Sequence, residues 1–139
     1  MSTIIAKLDR SKYKTELSNG SHVLIGDEPK PIGTDEGPTP YDYLLMALGS
    51  CTAMTLRMYA DRKNWELDEV EVRLTQERTH VKDCDDCEST EGFVHLIEKE
   101  IILTGNLDRE QRMRLMEISE RCPVHKTMEN EIKISMKKY

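Results

Sequence analysis

Residues 37–65 read GPTPYDYLLMALGSCTAMTLRMYADRKNW, and the reading of this stretch decides the fold. Thr39 offers a side-chain oxygen for an N-cap, Pro40 suits the first helical position, and Asp42 stands where a capping-box carboxylate belongs. Beyond them Leu44, Ala47, Leu48, Cys51, Met54, Thr55 and Met58 recur at three- and four-residue intervals, the period of an amphipathic helix. The spacing predicts a helix over residues 40–62 that ends near Lys63 and Asn64. Leu45, Met46 and Ala53 widen the apolar surface past one stripe, as in a central helix covered on several sides. Gly49 and Ser50 give up helix propensity and let another element come close.

Upstream the chain reads as β structure. Thr3 to Leu8 and Tyr13 to Leu17 alternate weakly, and Ser18-Asn19-Gly20 is a turn leading into His22 to Ile25. Asp27 to Pro38 has no period and reads as a loop. Downstream, Val70, Val72 and Leu74 alternate with Glu71, Arg73 and Thr75, and Phe93 to Leu103 reads as the antiparallel neighbour across a polar connection, Asp83 to Gly92. Asp108 caps a helix through Met113, Leu115, Met116 and Ile118. Pro123 breaks it and opens a short one near Val124 to Met128. Ile132, Ile134 and Met136 read as a final strand. The order β-β-β-α-β-β-α-α-β implies an α+β fold in one domain, residues 1–139, with helices covering mainly antiparallel strands.

Composition narrows the function classes. A net charge of −6 argues against nucleic acid, whose phosphates need clustered Lys and Arg. No apolar run reaches membrane-span length, and Met1 to Asp9 has no apolar core of a leader, so the expectation is a soluble cytoplasmic protein. There, four cysteines serve catalysis, metal or packing rather than structural disulfides. With one Phe, one Trp and 37% apolar residues, core material is thin and concentrated between Leu44 and Tyr59, which points to a homodimer sharing its core.

Cys51 lies about three turns into its helix, beyond strong influence of the N-terminal dipole. Apolar surroundings there raise a thiol pKa, so on spacing alone Cys51 reads first as packing, and a catalytic role requires a nearby cation, preferably Arg. Cys122 ends a helix just before Pro123, with Arg121, His125 and Lys126 close in sequence. It suits a reactive thiol and a small apolar side chain closing the helix equally well.

The run from Gly37 to Cys51, followed by Thr52-Ala-Met-Thr-Leu56, strongly resembles the OsmC/Ohr family, and so does Arg121-Cys-Pro-Val-His125. The resemblance implies a thiol-dependent hydroperoxide reductase built as an intertwined homodimer, its long central helices packed across the two-fold. It gives Cys51 the peroxidatic role and Cys122 the resolving one. A Cys51 thiolate would attack the O–O bond of an organic hydroperoxide or hydrogen peroxide and become a sulfenic acid. Cys122 would then close a disulfide, reduced in turn by a dithiol of the dihydrolipoamide type, with no cofactor required. One position departs from the family. Organic hydroperoxide resistance enzymes carry a Glu after the helix-opening proline, and it holds a catalytic Arg. Here Tyr41 stands there, with Asp42 beside it. Asp42 reads both as a substitute carboxylate and as a capping residue. Arg10 is the nearest candidate for the arginine, and it reads equally as a solvated strand-end residue.

His80-Val-Lys-Asp-Cys84-Asp-Asp-Cys87 stands outside the two-cysteine pattern. Cys84 and Cys87 can hold two corners of a tetrahedral zinc site with His80 adding another, form an exposed redox couple, or simply sit in a polar connection. The alternative to an enzyme is therefore a non-catalytic dimeric binding or redox-sensing protein, with a metal site at Cys84 and Cys87.

Overall fold

The computed structural model describes residues 2–78 in full, the backbone of Thr79 and His80, and residues 92–137. The elements are β1 (Ile5–Lys7), β2 (Thr15–Ser18), β3 (Val23–Gly26), α1 (Pro40–Lys63), β4 (Glu66–His80), β5 (Phe93–Asn106), α2 (Arg109–Ser119) and α3 (Pro123–Glu129). This is the α+β order expected, with antiparallel pairing throughout, except at its end. Residues 131–137 form no strand, and Ile132, Ile134 and Met136 are 59%, 88% and 86% exposed. Alternation marks two faces, but a strand also needs a hydrogen-bonding neighbour, and no strand among the described residues pairs with this segment. No helix among them is long and apolar enough to cross a membrane.

The chain forms two compact units, residues 1–46 and 47–139, with the boundary inside α1. In the first, β1, β2 and β3 make a meander with β2 central. Asn19 Oδ1 accepts the Ser21 and His22 N–H groups at 2.9 and 2.7 Å and so fixes the β2–β3 turn. The following loop closes on the buried carboxylate of Asp27. It accepts the Glu28 N–H at 2.8 Å, the Thr34 hydroxyl at 2.8 Å and the Glu36 N–H at 3.1 Å. Burial pushes this carboxyl up, but the donors outweigh it and hold the pKa below the usual range. Gly37 is required by close approach, because a Cβ there would run into the Ile25 carbonyl. The same carbonyl accepts the Tyr43 hydroxyl at 2.5 Å.

In the second unit, β4 and β5 form a long two-stranded ribbon bent by a bulge between Leu67 and Glu69. Opposite the bulge, Gly105 takes a φ of 149° and lies against the Glu66 carbonyl, a place open only to glycine. Helix α1 buries Leu48, Thr52, Leu56 and Ala60. The buried line is turned from the predicted stripe, leaving Met54 and Met58 61% and 64% exposed. Gly49 lets the helix meet β4, since a Cβ there would lie 2.8 Å from Leu74 Cδ1. The helix ends in a Schellman arrangement. Asn64 adopts a φ of 57°, its N–H reaches the Asp61 carbonyl, and the Trp65 N–H reaches the Ala60 carbonyl at 2.9 Å. Leu56, Ala60, Leu67, Leu115 and Ile118 make the core, with Tyr59, Trp65, Val70, Ile101 and Leu103 packed around it.

Candidate active site

Helix α2 begins on a capping box in which Asp108 accepts the Gln111 N–H and Gln111 returns a hydrogen bond to the Asp108 N–H. It ends at Ser119, and the Arg121 N–H still reaches back to the Ile118 carbonyl at 2.9 Å. Pro123 cannot continue that ladder, so it starts α3 at the first helical position. Cys122 is thereby fixed at the corner between the two helices, with 0% exposure.

Cys51, half-buried on α1, meets Cys122 there. Both thiols are free, and the two side chains hydrogen-bond each other. Cys122 Sγ also accepts the His125 N–H at 3.4 Å. The environments push the two thiols apart. Burial and the S–H donated to Cys122 push Cys51 up. Burial works against Cys122 as well, but the hydrogen bonds from Cys51 and the His125 N–H prevail and bring it down. Of the two, Cys122 is the one that loses its proton more readily, and Cys51 the one that keeps it.

A lysine that sequence reasoning passed over lies beside the pair. Lys99 Nζ contacts Thr52 Oγ1 at 3.1 Å, the Ser119 carbonyl at 3.0 Å and His125 Nδ1 at 2.8 Å. The signal was present in β5, where Ile97, Lys99, Ile101 and Leu103 are half-buried while Glu98 and Glu100 are exposed. A lysine sharing the parity of three aliphatic residues on an alternating strand is turned toward covered ground. Of the cations that sequence set near Cys122, His125 touches it through its backbone, whereas Arg121 and Lys126 are exposed.

Asp42, in the first unit, accepts the Thr39 N–H at 3.0 Å, while its own N–H donates to Thr39 Oγ1 at 3.1 Å, so its carboxylate serves the helix cap. Arg10 is exposed in the turn between β1 and β2. Cys84 and Cys87 fall outside the described residues, as does the side chain of His80. Among the described residues no group of three or more His, Cys, Asp or Glu gathers to hold a metal ion.

Comparison with known proteins bears on this site. The family model described as OsmC-like protein matches residues 33–137, which include both site cysteines, Thr52, Lys99 and His125. An OsmC-like protein from Mycoplasma pneumoniae is 20% identical with a TM-score of 0.74, covering 93% of this chain and 87% of its own. An organic hydroperoxide resistance protein OsmC from Legionella pneumophila is 19% identical at a TM-score of 0.64, with 91% and 88% covered. The organic hydroperoxide resistance protein OhrB of Bacillus subtilis is 20% identical at 0.58, with 92% and 90% covered. At these identities the likeness is one of fold. No curated protein sequence matches the chain significantly.

Proposed function

The chain belongs to the OsmC-like family, and on that footing we propose that it is a thiol-dependent peroxidase with Cys51 and Cys122 as its redox pair. The observation that carries this reading is the meeting of two free thiols, one half-buried on α1 and one fully covered at the corner where α3 begins. The half-buried sulfur, Cys51, is the one a peroxide can reach. Once Cys122 is a thiolate, transfer of the Cys51 proton to it frees the Cys51 thiolate, which attacks one peroxide oxygen. The O–O bond breaks, Cys51 becomes a sulfenic acid, and the departing alkoxide or hydroxide takes a proton. Cys122 then attacks the Cys51 sulfur, forming the S–S bond and releasing water. An external dithiol of the dihydrolipoamide type returns both thiols by exchange and is itself oxidised to a disulfide. A reducing cytoplasm would keep that dithiol available.

A homodimer is part of this reading. Met54 and Met58 stand exposed on α1, and Ile132, Ile134 and Met136 form an exposed apolar segment without a strand partner among the described residues. A second copy covering these surfaces supplies the burial that a short chain with few aromatic residues lacks. Light scattering of the purified protein checks it, and a monomer at micromolar concentration would remove this part of the proposal.

The test of the activity is peroxide consumption with dithiothreitol or dihydrolipoamide, using hydrogen peroxide and cumene hydroperoxide in turn. Wild type should consume many equivalents per chain. Cys51→Ser should lose turnover by at least about 100-fold. Cys122→Ser should make one sulfenic acid per chain and then over-oxidise. No turnover from fully reduced wild type with any combination would leave the binding or sensing reading, for which the replacement of the family glutamate by Tyr41 already speaks.

A further inference from the structure

A positive charge beside Cys51 and Cys122 is what the chemistry of a thiolate asks for. Lys99 meets the requirement from β5. An ammonium has three protons to satisfy when it leaves water, and Lys99 finds three acceptors, each from a different place: Thr52 on α1, the Ser119 carbonyl at the end of α2, and His125 on α3. The Thr52 hydroxyl has 2.8 Å contact to the Leu48 carbonyl and donates its proton there, so toward Lys99 it presents lone pairs. His125 is oriented too. Accepting at Nδ1 assigns the ring proton to Nε2, which faces Glu129 Oε1 at 3.1 Å. Of the residues holding Lys99, His125 also gives its backbone N–H to Cys122.

We propose that Lys99 is the charge-positioning residue of this site: its ammonium, fixed by Thr52, Ser119 and His125, stabilises the thiolate shared by Cys51 and Cys122. The inference rests on the reading of those cysteines as a redox pair. A purely structural lysine would be a costly way to fill a half-buried strand position, because an aliphatic side chain would cover the same surface without desolvating a charge. The titratable groups around Lys99 are Cys122, Glu120, Cys51 and Glu129, with the His125 ring in direct contact. Burial pushes the ammonium toward losing its proton, and negative charge on its neighbours, at Cys122 foremost, pushes it back. The coupling is reciprocal: whatever Lys99 does for the thiolate, the thiolate does for Lys99. Converting the thiols to a disulfide removes the negative charge, so Lys99 should hold its proton less tightly in the oxidised protein.

Two measurements test this. Thiolate absorbance at 240 nm, followed against pH in folded protein, should show Lys99→Met forming about tenfold less thiolate near pH 7 than wild type, with Lys99→Arg recovering most of the difference. An unchanged titration in Lys99→Met would overturn the proposal. The second measurement uses wild type alone and so survives a variant that fails to fold. The Lys99 Cε resonance is titrated by NMR in the reduced and disulfide forms, with a lower midpoint expected on oxidation. Identical midpoints would overturn the proposal as well. Neither readout consumes peroxide. A shifted titration without turnover would therefore sink the peroxidase and keep Lys99, and turnover with an unshifted titration would do the reverse.

Discussion

Cys51 and Cys122 give up their protons unequally, and that inequality makes a prediction with a sign. Cys122 is lowered, burial notwithstanding, with help from the S–H donated by Cys51, and Cys51 is raised by burial and then by its partner. Removing one should therefore move the other in a particular direction. In Cys51→Ala the Cys122 thiolate should form at higher pH than the first thiolate of wild type. In Cys122→Ala the Cys51 thiolate should form at lower pH than the second thiolate of wild type. Each displacement should change the thiolate fraction several-fold near its midpoint. Absorbance titrations of the two single variants read both, and midpoints unchanged from those of wild type would mean that neither sulfur feels the other. Both cysteines were legible in the sequence through their motifs. Thr52 and Lys99 were not, because a threonine within a helix and a lysine within a strand carry no local mark. Only the strand's parity distinguishes Lys99, and its use requires knowing which parity is covered.

Among the elements, helix boundaries were the most legible feature. The capping residues Thr39 and Asp42, the Asp108 start of α2 and the Pro123 start of α3 act through nearest-neighbour chemistry, which sequence displays directly. Pairing partners were less so. The alternation of Ile132, Ile134 and Met136 shows two faces but not which edge accepts them. The α1 stripe shifted because a helix apolar on several sides does not say which side its own chain covers. A device no pattern announces is the clamp at the end of β5. Arg112 on α2 donates to the carbonyls of Leu103, Gly105 and Leu107 at 2.9, 3.1 and 3.2 Å, closing the strand-to-helix turn with one guanidinium. Arg112→Met keeps the aliphatic stem and takes the guanidinium from the Leu103 and Leu107 carbonyls, while Gly105 keeps the Leu107 N–H. It should cost about 1–3 kcal/mol of stability in urea denaturation. A loss below about 0.5 kcal/mol would mean that water replaces the guanidinium without penalty.

For the whole molecule, the two site cysteines lie in distant parts of the sequence, one in the long first helix and one near the C-terminal end. A bond between them would close a loop of about seventy residues. Chain-entropy reasoning gives such a closure roughly 4 kcal/mol as an upper figure, since it limits the unfolded ensemble far more than the folded one. The oxidised protein should then melt several degrees above the reduced protein, and Cys122→Ser should melt alike under both conditions. Calorimetry with and without dithiothreitol checks this, and equal melting temperatures for the two wild-type forms would show that strain in the native state cancels the gain. Because the reacting groups double as the ends of that loop, each catalytic turnover would tie and untie the chain. The reduced form would be the one that yields first to a protease, so the lifetime of the protein would record how much oxidant it has met.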